Sequence, residues 1–281
     1  MSEQQTENKA LSAPVKIDTN DNRYVMKFAT VTCLVCALAV AISAVALRPF
    51  QNQNALNEKR LNVLVASGLA ESGVKLNNAQ IDERFKNVKP VAINFETGQI
   101  NSEIDASKYD MYATAKSASG VVLKEDPAGI KRMAKDGLVY LVFDGDALKN
   151  VVLPVQGYGL WSTMYGFLAL DLNKENAEVV GLTFYQHAET PGLGGEIVNP
   201  KWQAKWVGVV PFDEAGHPHI HLRKSGARPD HKNEVDSLSG ASLTSRGVEN
   251  MVNFWLGDSA YKRFLTELKA GNIDLASIKA R

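Results

Sequence analysis

Beyond Cys36 this chain contains no cysteine. A disulfide framework is thereby excluded for everything that follows. It also lacks an excess of either charge, with 31 Lys and Arg against 31 Asp and Glu. No basic stripe alternates with aromatics, so there is no nucleic-acid footprint. No G-x-x-x-x-G-K-[S/T] is present, which removes a phosphate loop of that type. Internal repeats and low-complexity tracts are missing too. What remains, 281 residues with 45% apolar side chains, leaves room for one sizeable core or two small ones.

One long apolar run is present. Residues 28–47 read FATVTCLVCALAVAISAVAL, without a charge. At 1.5 Å per residue a helix of this length spans about 30 Å, the thickness of a bilayer's hydrocarbon core. Lys27 bounds it on one side and Arg48-Pro49 on the other. A cleavable signal peptide would carry a shorter run nearer the start, although Ala44-Val45-Ala46 resembles a cleavage site. Cys33 and Cys36 fall inside the run, where i,i+3 cysteines serve as small hydrophobes; a redox or metal role would need ligands from other chains. Lys9, Lys16, Arg23 and Lys27 precede the run; Arg48, Lys59 and Arg60 follow it. The slight basic bias puts the N-terminus inside. The expected organisation is a cytoplasmic tail over 1–26, a transmembrane helix over 27–48 and an external domain over 49–281.

The external part reads as α+β. Leu56, Leu61, Leu64 and Val65 recur at helical intervals, and a short helix is expected over 78–86. Alternation over 91–95 predicts a strand. The stretch 98–136 reads as loop. Residues 138–143, 151–155, 164–172 and 179–186 are rich in β-branched and aromatic side chains between short turns, which predicts a mainly antiparallel sheet. A short helix is expected over 202–206 and a strand over 219–222. Val248, Met251, Val252 and Trp255 recur at i, i+3, i+4 and i+7, one face of a helix starting near Thr244. A last helix is expected over 259–268.

Four stretches offer chemistry. Gly157-Tyr158-Gly159-Leu160-Trp161-Ser162-Thr163-Met164-Tyr165-Gly166 places glycines around aromatics between two strands. That admits a flat ligand against Trp161 or Tyr165, or simply a glycine-rich bend. His187-Ala188-Glu189-Thr190-Pro191-Gly192-Leu193-Gly194-Gly195-Glu196 follows a strand end, where sites gather. It lacks the βαβ setting of a dinucleotide fingerprint. His187 lacks a nucleophile motif to serve as base. His217, His219 and His221 would share one face of a strand and could bind zinc, but a solvated strand edge is the better reading. Lastly, Ser239-Gly240-Ala241-Ser242-Leu243-Thr244 lies before the amphipathic helix, three residues after Asp236. A helix start suits a phosphate; a plain hydroxyl-rich cap is the alternative.

The last stretch is similar to the flavin-transferase recognition pattern D-x-x-[S/T]-G-A-[S/T]-x-[S/T]. With GYGLWSTMYGFLALD, FYQHAETPGLGGEI and NVKPVAINFETG in matching order, residues 25–270 resemble the C subunits of the bacterial Na+-translocating NADH:quinone reductases. The G subunit of Rnf-type complexes shares the flavin motif, but looks shorter over residues 68–136. A non-redox extracytoplasmic binding or anchoring protein is a third reading. The resemblance implies an FMN-binding domain with FMN joined through its phosphate to Thr244 by a flavin transferase. It implies Ser239, Gly240, Ala241, Ser242, Trp161, Thr163, Glu189, Thr190, Gly192 and Leu193 around the cofactor. Glu189 and Thr190 would bond the polar edge of the ring. It further implies a single-pass subunit of the inner membrane with a periplasmic domain, among six subunits carrying electrons from NADH to ubiquinone and exporting Na+. The uncharged span supplies no ion ligand.

Overall fold

The computed structural model describes residues 21–279, so positions 1–20 of the expected tail lie outside the described residues. The chain divides into two compact units, Met1–Asn54 and Ala55–Arg281.

The described residues of the first unit are helical. Helix α1 runs over Asn22–Ala66 and includes Pro49. The expected transmembrane helix ends at Arg48; the helix continues through Pro49 instead. Proline removes one N–H from the ladder, and the helix-forming alanines, leucines and Lys59 around it carry the helix on. An 18-residue window of α1 has mean hydropathy 2.5 and is long and apolar enough to cross a membrane.

The second unit is built on a five-stranded sheet of antiparallel neighbours. In chain order the elements are α2 (Asn78–Phe85), β1 (Val88–Asn94), α3 (Met111–Lys116), β2 (Val121–Val122), β3 (Arg132–Met133), β4 (Asp136–Asp144), β5 (Ala147–Tyr158), β6 (Thr163–Asp171) and β7 (Glu178–Gln186). Then come α4 (Pro200–Gln203), β8 (His221–Arg223), β9 (Glu234–Asp236), α5 (Ser242–Trp255), α6 (Lys262–Lys269) and α7 (Leu275–Lys279). The sheet order is β1-β4-β5-β6-β7.

Period-two alternation gives the sheet two apolar faces. Val151, Leu153 and Val155 of β5, with Leu168 and Leu170 of β6, join one core with Val248, Met251, Val252 and Trp255 of α5 and Phe264 of α6. Val152, Phe167 and Ala169 point the other way, to Val63, Leu64 and Ala66 at the end of α1 and Ile81 of α2. A layer therefore covers each face of the sheet. Trp255 anchors the larger core: its ring packs on Phe95 and Tyr261, and its Nε1 donates to Gln156 O at 2.7 Å.

The stretch 98–136, expected as loop, contains α3, β2 and β3. Asp110 caps α3 by accepting from the N–H groups of Tyr112 and Ala113. The strand expected over 219–222 is three residues, His221–Arg223, and pairs in parallel with β9. The final helix starts later than expected, at Lys262, and α7 follows it.

Candidate flavin attachment site

Strand β5 runs further than its sequence suggests, over Ala147–Tyr158 rather than 151–155, while β6 starts one residue early, at Thr163. They pair as far as Tyr158 and Thr163, so the turn between them is only four residues, closed by Gly159 N donating to Ser162 O at 2.9 Å. Thr163 opens β6. Tyr165 lies within it, packing edge-on against Tyr112 at 5.1 Å and tilted against Tyr185 at 6.2 Å. It therefore offers no stacking surface at the turn. Trp161 does, with 66% of its surface exposed.

Strand β7 ends at Gln186, beside a bulge where Tyr165 faces Gln186 and Gly166 faces Phe184. Such bulges re-aim the chain at a sheet margin. The loop that follows carries Glu189 back to the β5–β6 turn. Glu189 is only 4% exposed. Its Oε1 accepts from the N–H groups of Trp161 (3.0 Å) and Ser162 (3.1 Å), and its Oε2 from Leu160 N (3.2 Å). Ser162 Oγ in turn accepts from Ala188 N at 2.7 Å. Thr190, Pro191, Gly192 and Leu193 form the exposed rim of this loop, tied by Leu193 N and Gly195 N donating to Thr190 O.

The hydroxyl-rich stretch approaches the same place from the third side. Gly240 has φ +71°, a left-handed conformation that suits glycine, and its Cβ position lies 3.2 Å from Leu193 Cδ2. Ala241 is the N-cap of α5 and makes no side-chain cap. The first helical bond is Ser245 N to Ala241 O, 2.9 Å. The N–H groups of Ser242, Leu243 and Thr244 thus precede the ladder, the arrangement that attracts anions. No hydroxyl caps α5: Ser239 is exposed, Ser242 half-buried, and neither closes the helix.

Thr244 lies four residues before Val248, on the inward stripe of α5, and is 1% exposed. Its Oγ1 donates to Glu189 Oε2 at 2.6 Å. Gly194 makes this contact possible, since a Cβ there would fall 2.5 Å from Thr244 Oγ1 and 2.8 Å from Glu189 Oε2. Burial pushes the Glu189 carboxyl up, but the bonds from Thr244, Trp161, Leu160 and Ser162 outweigh it and hold the group below the ordinary glutamate value.

The structure thus gathers Trp161, Glu189, Leu193, Gly240 and Thr244 into one site. Glu189 differs from expectation in orientation: its carboxylate faces inward, engaged by Thr244 and three N–H groups, rather than standing free for a ring edge. Gly159, Ser162 and Gly194 are positioning residues outside the expected site; for Gly159 and Gly194 the signal is the glycine itself. His187 stays beside the site, its Nδ1 accepting from Glu189 N at 3.2 Å. The three histidines do not share a strand face. His219 and His221 stack edge-on at 4.6 Å, His221 nears Glu249, and His217 nears Asp213. Among the described residues, no group of three or more His, Cys, Asp and Glu is placed to hold a metal.

The FMN-binding domain family matches residues 159–257, the span from the β5–β6 turn to just past α5. The C subunit of the Na(+)-translocating NADH-quinone reductase of Pseudomonas aeruginosa is 42% identical over 86% of this chain and 94% of its own length. Its counterpart in Vibrio anguillarum is 40% identical, covering 86% and 92%. The crystal structure of NqrC from Shewanella oneidensis superposes with TM-score 0.69 at 34% identity, covering 76% of this chain and 99% of that one. With identity of this order sustained along nearly the whole of each relative, the chain belongs to the NqrC family, the C subunits of the Na+-translocating NADH-quinone reductases.

Proposed function

We propose that this chain carries electrons within its complex through FMN held covalently on Thr244, the phosphate forming a diester with Oγ1. The observation that carries the reading is a threonine hydroxyl in the first turn of α5, next to N–H groups outside the helical ladder, within the sequence Asp236–Thr244 that a flavin transferase recognises. A helix start stabilises an anion by about 0.3–1 kcal/mol at an exposed site. The residues present fit the group: N–H donors for a phosphate, and exposed apolar surface on Trp161, Leu193 and Leu243 for a flat ring. Thr163, Glu189, Thr190 and Gly192 complete its surroundings in this reading, and Ser239, Gly240, Ala241 and Ser242 serve recognition or phosphate contact.

The flavin supplies the redox chemistry when bound. The chain anchors it, orients it and leaves it exposed to partner subunits. We take the tail to be residues 1–26, the membrane helix 27–48 and the domain 49–281, on the periplasmic side of the inner membrane. Six subunits together would couple NADH oxidation and ubiquinone reduction to Na+ export. The apolar run offers no charged ion ligand, so export belongs to the assembly.

Mass spectrometry of the tryptic peptide 233–246 from the native complex tests the attachment. FMN ester on Thr244 is expected; an unmodified peptide overturns it. Thr244→Ala should fold yet show no flavin fluorescence on a denaturing gel, whereas surviving fluorescence would move the attachment elsewhere.

A further inference from the structure

The Glu189–Thr244 pair sets a buried carboxylate against a buried hydroxyl. An ionised carboxylate accepts a hydrogen bond, at 2.6 Å, from the one hydroxyl proposed to become an ester. The rest of Glu189 is fixed independently of Thr244: three N–H groups of the β5–β6 turn hold it. We propose that Glu189 is the base for flavin attachment, supplied by the acceptor chain itself rather than by the transferase. This rests on Thr244 being the attachment point.

The chemistry is a phosphoryl transfer, in which a positioned carboxylate commonly takes the proton of the attacking hydroxyl. Thr244 Oγ1 attacks the flavin-side phosphorus of FAD. The Oγ1–P bond forms and the bond from that phosphorus to the bridging oxygen breaks. AMP leaves with the bridging oxygen and its electron pair. The Oγ1 proton passes to Glu189 Oε2 and from there to solvent. Nothing is oxidised or reduced. Because Thr244 is 1% exposed, phosphorus reaches Oγ1 only when Gly194 and the rim beside it withdraw. Glu189 precedes that rim on the same loop, but its carboxylate is held on the β5–β6 turn by the N–H groups of Leu160, Trp161 and Ser162.

The ester oxygen has no proton to donate. After attachment, Oε2 loses its shortest partner and faces a second anion. Repulsion between carboxylate and diester then directs the phosphate toward the N–H groups of Ser242, Leu243 and Thr244.

The full-length chain in detergent, incubated with flavin transferase and FAD, gives a rate of FMN mass gain by intact-protein mass spectrometry. Glu189→Gln should lower kcat by about 10²–10⁴ while KM for the acceptor chain stays within about threefold. Circular dichroism checks that the variant folds. Wild-type kcat in the folded variant overturns the proposal, as does a raised KM at unchanged kcat, which would mean docking. Should Glu189→Gln unfold, Glu189→Asp decides: the carboxylate retained but drawn back should lower kcat at unchanged KM, and an effect on KM alone overturns the idea. Wild-type chain modified at another residue, with Thr244 untouched, removes the attachment reading instead, and is told apart by the modified peptide.

Discussion

Gly247 of α5 lies against the carbonyl of Tyr158 at the end of β5, so near that a Cβ on Gly247 would fall 2.4 Å from that oxygen. The helix can press on the strand only because this position has no side chain. That approach sets Thr244, one turn earlier, beside the β5–β6 turn.

Gly247→Ala should therefore destabilise the domain by about 1–3 kcal/mol, because the obstacle is backbone and cannot swing aside. Urea unfolding monitored by tryptophan fluorescence measures it. An unchanged midpoint would mean that α5 rides less tightly on β5 than described.

Trp161 is exposed while its N–H serves Glu189. Trp161→Ala should leave unfolding within about 0.5 kcal/mol of wild type yet alter the absorbance or fluorescence of the attached flavin. Identical flavin spectra would place the ring away from this indole.

Glu234 is buried, and the Arg228 guanidinium holds its carboxyl down to about 2, with help from Arg228 N and Arg223. A folded-state value below the unfolded one stabilises above the unfolded value, and that stabilisation is lost as pH falls through the folded one. Stability should thus decline from about pH 4.5 toward pH 2. In Glu234→Gln the decline should be shallower, with the two proteins converging at low pH. Urea midpoints across that range provide the check; parallel curves would remove Glu234 as a source of acid sensitivity.

The proposed periplasmic placement of the domain is open to a topology test. A C-terminal reporter active only in the cytoplasm should be silent on this chain. Activity there would reverse the proposed orientation.

Much of the sheet was legible because β4 to β7 alternate β-branched and aromatic residues over long stretches, and α5 because Val248, Met251, Val252 and Trp255 keep a helical period. The elements between 98 and 136 are two to six residues long, too short for periodicity to register, though Asp110 two residues before Tyr112 was a usable cap signal. Strand β8 was expected over 219–222, but its bounds, His221–Arg223, follow its partner β9, whose Val235, opposite Leu222, lies further along the chain. The site was legible as three separate stretches. Their convergence was not, since the Glu189–Thr244 bond spans 55 positions and the close approaches at Gly194 and Gly247 depend on the finished packing.

That separation has a bearing on when the chain can be modified. The recognition stretch exists in any nascent polypeptide, but the carboxylate meets the hydroxyl only after β5, β6, β7 and α5 have docked. An isolated peptide 236–256 or an acid-unfolded chain should accept flavin far more slowly than the native domain, a comparison the same mass assay can make. Cofactor loading would then act as a maturation checkpoint, withholding the redox group from chains that have not finished folding.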